Sequence, residues 1–238
     1  MTSLLSHALD PLFPPRCILC GDPGAGGMDL CAGCREDLPV LDQACSGCGR
    51  TLAGAGEICG LCLNEPPAWT RMMTPLRYHA PVNWLVQRFK FDGRMNCGRL
   101  LASLMARRAP GDGRPELLIP VPLHRARLRE RGFNQAEFLA RRLGAELGIP
   151  VARGMLTRVR DTRAQSGLPT GSREGNVRRA FAIARSPGVQ HVALVDDVLT
   201  TGHTAEECVR VLRRAGVSQV QVWVAARALR SDFLRSCA

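Results

Sequence analysis

Eight of the eleven cysteines fall in four C-x-x-C pairs: Cys17 and Cys20, Cys31 and Cys34, Cys45 and Cys48, Cys59 and Cys62. Ten residues separate the pairs within each half, and a shift of 28 residues places Cys17 on Cys45, Gly21 on Gly49, Cys31 on Cys59 and Pro39 on Pro67. The segment is an internal duplication. Two residues between thiolates let one tight turn present both sulfurs to a single ion at about 2.3 Å, and the glycine after the second cysteine lets the backbone reverse beneath it. Four thiolates close a tetrahedral shell around zinc and leave no position for water, so the two sites read as structural. Disulfides are the competing use of such a pattern. The opening stretch MTSLLSHALDPLF carries no cation before Arg16, which argues against a secretory signal and for a reducing, cytoplasmic setting where cysteine at this density binds metal. The repeat favours sequential sites, Cys17, Cys20, Cys31 and Cys34 in one and Cys45, Cys48, Cys59 and Cys62 in the other. The spacing also accommodates an interleaved cross-brace.

The chain has 238 residues, room for a domain of ordinary size beside this small module, and no stretch approaches the roughly 18 uncharged apolar residues of a membrane span. Its net charge of +11 is unevenly spread. Residues 1–70 hold three Arg against eight acidic groups, a balance of −5, whereas residues 71–238 hold 29 basic against 13 acidic groups, a balance of +16. Zinc held by four thiolates adds further negative charge, so DNA binding by the cysteine module alone is disfavoured and the anion-binding surface is expected downstream. Of the 32 basic side chains one is lysine, Lys90, between Phe89 and Phe91. A G-x-x-x-x-G-K-[ST] phosphate loop is therefore excluded.

Asn64-Glu65-Pro66-Pro67 reads as a linker, dividing a module of residues 1–68 from a domain of residues 69–238. Beyond it, apolar runs alternate with amphipathic helices, the pattern of an α/β fold with a parallel sheet. Helices are expected over Val82–Phe91, Leu100–Arg108, Ala136–Leu147 (capped by Asn134) and about Thr204–Ala215. Buried strands are expected at Leu117–Val121 and His191–Val195, an alternating strand at Val220, Val222 and Val224, and a possible pair at Met155–Thr157 and Phe181–Ala184.

Val192–Thr204, VALVDDVLTTGHT, carries the chemistry. Four apolar residues make a parallel strand that delivers Asp196 and Asp197 to its carboxyl edge, where open α/β sheets bind ligands. Thr200, Thr201, Gly202, His203 and Thr204 then form a small-residue turn into a helix, whose free N–H groups and hydroxyls suit a phosphate. An acidic pair beside an anion site needs hydroxyl donors or a cation in the ligand. A phosphorylated ribose with bound Mg²⁺ supplies both.

These 13 residues resemble the 5-phosphoribosyl-1-diphosphate motif of type I phosphoribosyltransferases. With the paired knuckles, Lys90-Phe91-Asp92-Gly93, the RGFNQ within Pro120–Gln135, and Arg158 through Phe181, nearly the whole chain resembles the ComF (competence protein F, GntX-like) family, which joins a double zinc ribbon to such a domain. The resemblance implies a pyrophosphate loop at Pro122–Phe133, where guanidinium forks of Arg125 and Arg131, with Asn134, would meet the diphosphate. It further implies a mobile loop over residues 158–180, carrying Arg158, Arg160, Gln165 and Arg173, that closes over the ligand. A substrate hood would lie at Tyr78–Arg94, with Lys90 either in it or on the surface. The implied activity is Mg²⁺-dependent pentosyl transfer from 5-phosphoribosyl-1-diphosphate, linked to DNA uptake or nucleotide metabolism. The alternative is a non-catalytic nucleotide sensor or single-stranded-DNA module whose ribbons dock competence or recombination proteins. Cys97, Cys208 and Cys237 read as ordinary thiols. Trp69, Trp84, Tyr78 and the seven Phe are scattered, with no run that interleaves them with Arg as a base-stacking platform would.

Overall fold

A computed structural model describes residues 14–52, 54, 56–160 and 180–229. Val220–Ala226, apolar except for Gln221, forms the middle of β7 (Gln219–Arg227), the strand on which the parallel sheet is organised. On one side β7 pairs with β1 (Arg71–Met73) and then β2 (Leu76–Arg77); on the other it pairs with β6 (His191–Leu199), which in turn pairs with β3 (Leu117–Pro120). A further parallel bridge joins Leu118 to Val151 at the β3 edge.

Side-chain alternation along these strands feeds two cores. Ala193, Val195, Trp223 and Ala225 face α3 (Val82–Asp92), α4 (Met95–Arg108) and α6 (Gln135–Leu147), packing on Val86, Phe89, Leu101, Met105, Leu139 and Leu143. Val192, Leu194, Val220, Val222 and Val224 face α7 (His203–Arg214) and meet Cys208, Val209 and Leu212. With helices on both faces, β7 is buried from Val220 to Ala226, so the alternating exposure expected for it is replaced by a continuous buried run. Gln221 is tolerated there because its Nε2 donates to Gly113 O at 2.8 Å and its Oε1 accepts from Trp223 Nε1 at 2.7 Å.

Two further expectations change. The strand carrying the acidic motif runs on to Leu199, because β7 keeps pairing with it beyond Val195. In place of an open pyrophosphate loop, α5 (Arg125–Arg131) forms from good helix formers, capped by His124 Nδ1 accepting from Ala126 N and stopped by Gly132 at φ 82°. The pair β4 (Leu156–Arg158) and β5 (Phe181–Ile183) is antiparallel, with Arg158 opposite Phe181, so the segment between them leaves and returns at one place. Residues 161–179, including Gln165 and Arg173, lie outside the described residues.

The duplication is repeated in three dimensions. Bridge Arg16↔Pro23 recurs as Ala44↔Thr51, the bond Cys17 N–Asp22 O recurs as Cys45 N–Arg50 O, and α1 (Ala32–Glu36) recurs as α2 (Gly60–Asn64). Cys17, Met28, Leu30 and Leu38 of the first ribbon are buried in the same cluster as α3, α4 and Trp223. The change of architecture near residue 68 is thus crossed by a continuous core. Among the described residues no helix is long and apolar enough to cross a membrane.

Candidate functional site

The metal sites are sequential. The sulfurs of Cys17, Cys20, Cys31 and Cys34 lie within 4.8 Å of one another, as do those of Cys45, Cys48, Cys59 and Cys62. Cys20 and Cys31 Sγ are 3.6 Å apart and Cys48 and Cys59 Sγ 3.7 Å, close to the edge of about 3.8 Å of a tetrahedron with 2.3 Å Zn–S bonds. Burial pushes the Cys17 thiol up, but the N–H groups of Cys31, Cys20 and Leu19 outweigh it and bring it down to about 6. Cys45 likewise falls to about 6, as the N–H groups of Cys59, Cys48 and Gly47 outweigh its burial. Each site thus carries one thiol already biased toward the thiolate that zinc requires.

The second site forms where β3 stops. Its last register partners are Pro120 and Val195, after which the chain turns away toward α5 while β6 continues beside β7 alone. Asp196 and Asp197 enter that crevice. Alternation sends them to opposite faces of the sheet. Asp197, 4% exposed, points to the α3 face, where Lys90 Nζ lies 2.8 Å from its Oδ2. Burial raises the Asp197 carboxyl, but the Lys90 charge and hydrogen bond outweigh this and hold it below the usual carboxylate range. Burial in turn lowers Lys90, and the charge of Asp197 outweighs it and holds the ammonium up. Asp196 lies toward α7, within electrostatic reach of Cys208. Burial, followed by the charge of Asp197, pushes its carboxyl up to about 7. The pair therefore has two electrostatic characters, one acid neutralised by a lysine and one in want of a cation.

Arg131 stands beside this cluster. Its Nη1 donates to Gln135 Oε1 at 2.9 Å, its guanidinium lies 5.3 Å from the Phe91 ring centroid, and Asp197 and Asp196 both act on its charge. Phe91 is 70% exposed, so space brings together an aromatic and an arginine that the linear sequence keeps apart. Asn134 Oδ1 accepts from Ala136 N and its Nδ2 donates to Val121 O at 3.0 Å; it fixes the β3 exit and the start of α6. Arg125 is exposed at the first turn of α5. Arg158 sets its guanidinium 5.4 Å from the Phe181 centroid on the α7 side, and Arg160 follows β4 at the edge of the described segment.

After Leu199 the turn reaches Gly202, whose φ of 89° is left-handed, and α7 begins. Its first intrahelical bond joins Glu206 N to Gly202 O at 2.9 Å, which leaves the N–H groups of His203, Thr204 and Ala205 without a helical acceptor. Thr200 and Thr204 are half-buried and Thr201 is exposed. His203 Nδ1 is 3.8 Å from Glu206 Oε2, so its ring is turned along the helix.

The sequence leaves Lys90 between the substrate hood and the surface, and the structure puts it on Asp197; Trp69 and Arg227 have no place at the site in the sequence reading. The segment 78–94 contributes α3 to the main core through Val82, Leu85, Val86 and Phe89, and delivers Lys90 from that helix's last turn. The signal for Lys90 was its solitude among 31 arginines. Trp69 and Arg227, which join the second ribbon to the turn, carried none.

A parallel sheet with helices on both faces, acids at the carboxyl end of β6 and a glycine turn into α7 define a phosphoribosyltransferase-type domain, here carrying two four-cysteine zinc sites. Residues 128–234 match the phosphoribosyl transferase domain model and residues 8–63 the double zinc ribbon domain model. The chain belongs to the competence protein F family. It is 39% identical over 226 residues to Competence protein F of Haemophilus influenzae, spanning 91% of this chain and 98% of that one. It is 35% identical over 223 residues to DNA utilization protein YhgH of Salmonella typhi, with the same coverage. Among solved structures, glutamine phosphoribosylpyrophosphate amidotransferase from B. subtilis is 21% identical, covering 58% of this chain and 30% of that one at a TM-score of 0.41.

Proposed function

We propose that this protein binds 5-phosphoribosyl-1-diphosphate with Mg²⁺ in the crevice at the end of β6 and transfers its phosphoribosyl group, in the service of DNA uptake. The observation that carries the reading is Asp196 and Asp197 at the head of the Thr200–Thr204 turn, with Lys90 neutralising one acid and the other held near 7. The turn would take the 5-phosphate on its N–H groups and hydroxyls. The acids would accept from the ribose hydroxyls. Arg131, with Arg158 and Arg160, would meet the diphosphate. Asp196 is the carboxylate suited to a divalent cation, which would arrive with the diphosphate and offset leaving-group charge. The C1–O bond to pyrophosphate breaks as a nucleophile bonds to C1, through an oxocarbenium-like centre that the protein positions and shields.

Calorimetry on the full chain with the sugar diphosphate and Mg²⁺ tests this. One ligand per chain is expected, tightening as pH rises through about 7, because the Asp196 carboxylate forms there; Asp196→Asn flattens that profile. No heat at millimolar ligand overturns the reading. Binding without pyrophosphate release for any nucleobase makes the pocket a sensor. A second reading, single-strand handling, is favoured by exposed Phe91 beneath Arg131 and the +16 balance of residues 71–238. It requires oligonucleotide affinity that falls with salt and weakens in Phe91→Ala.

A further inference from the structure

The two ribbons are copies, yet they meet the sheet differently. Three successive carbonyls of the Cys45–Cys48 knuckle accept hydrogen bonds from beyond the ribbon: Ser46 O from Met72 N at 2.6 Å, Gly47 O from Trp69 Nε1 at 2.6 Å, and Cys48 O from Arg227 Nε at 2.7 Å. The Arg227 guanidinium also donates through Nη1 to Leu199 O at 2.8 Å and to Thr200 O, where β6 runs into the candidate phosphate turn. Trp69 makes a second link. Its ring lies so close to Gly202 that a Cβ there would sit 3.2 Å from Cη2. The equivalents of Ser46 and Gly47 in the first repeat are Ile18 and Leu19, larger residues. Gly47 admits nothing larger, since a Cβ would fall 2.9 Å from Cys62 Sγ.

We propose that the second zinc site positions the phosphate turn, with Trp69 and Arg227 as the positioning residues. A planar trans peptide points its C=O and N–H in opposite directions. Holding the carbonyls of Leu199 and Thr200 therefore fixes the N–H groups of Thr200 and Thr201. Zinc sets the knuckle, the knuckle sets Trp69 and Arg227, and these set the donors offered to an anion. The consequence for ligand binding rests on the phosphate reading above; the mechanical coupling does not. The coupling is reciprocal, so an anion in the turn strengthens zinc retention at the second site.

Hydrogen exchange on the full zinc-loaded chain reads the coupling directly. Amides of residues 199–204 should exchange about tenfold faster in Trp69→Phe, Arg227→Lys and the zinc-site variant Cys62→Ser. Trp69→Phe and Arg227→Lys are mild changes that keep both zinc sites. Arg108→Gln, which cuts a separate tether to the carbonyls of Leu41 and Asp42, should leave the turn at its wild-type rate. Affinity for the sugar diphosphate should fall about fivefold or more in the first three variants. An unchanged turn in Cys62→Ser, with the ribbon's own amides deprotected, overturns the proposal. Altered exchange in a protein that binds no sugar diphosphate upholds the coupling and overturns the function proposed above.

Discussion

Lys90 and Asp197 show how a single residue pair sets the character of the site. A lysine ammonium is a compact point charge, suited to one carboxylate oxygen in a narrow space, whereas the planar arginine fork seeks two acceptors. In a chain that uses arginine at every other basic position, lysine at 90 fits this contact. Removing it leaves a buried carboxylate uncompensated. Lys90→Met is expected to destabilise the fold by about 3 kcal/mol at neutral pH in urea unfolding. The sign with pH follows from the depressed Asp197 carboxyl. Its ion pair stabilises the native protein above the ordinary carboxylate range, near 4, and that stabilisation fades as pH falls below it. The penalty in Lys90→Met should therefore shrink toward acid; a penalty independent of pH would show that the pair contributes packing alone.

At the scale of elements, β6, the turn and α7 form one unit whose geometry converges on Gly202. A side chain there meets both a left-handed backbone and the Trp69 ring. Gly202→Ala should cost about 1–3 kcal/mol in urea unfolding and weaken phosphate-ligand binding by calorimetry, since the backbone must shift where the N–H groups are presented. An alanine variant of wild-type stability and affinity would show that the turn adapts freely. This unit was legible in sequence because a strand, an acidic pair and a small-residue turn are local patterns; so were the ribbons, whose repeat is an identity at fixed spacing. Strands β1 and β2 were not, since RMMTPLR has no alternation and borrows its conformation from β7, about 150 residues away. Helix α5 was hidden because the resemblance promised a loop there, although RARLRER has helical propensity throughout. The Lys90–Asp197, Trp69–Gly47 and Arg227–Thr200 contacts depend on tertiary placement, which no spacing along the chain encodes.

One of the molecule's two cores runs through both of its architectures. Leu30, fully buried, lies in the first ribbon yet belongs to the cluster of Phe89, Met105 and Trp223. Leu30→Ala should lower global stability by about 2–5 kcal/mol, in one cooperative transition followed by fluorescence of Trp69, Trp84 and Trp223, none of which is in that ribbon. A separate early ribbon transition that leaves the tryptophan signal at its wild-type midpoint would show that the ribbon is autonomous. The sheet adds a constraint in time. Strand β7 is the common neighbour of β1, β2 and β6, and among the described residues it is the last strand in chain order, synthesised after the other three. While the polypeptide is emerging from the ribosome, the edge that β1 and β6 must share does not yet exist, and their apolar residues wait without a partner. The eight ribbon cysteines, which need an ion rather than a distant strand to draw them together, are all available long before. In the nascent protein, metal loading can thus come first, and the sheet closes only once β7 has followed.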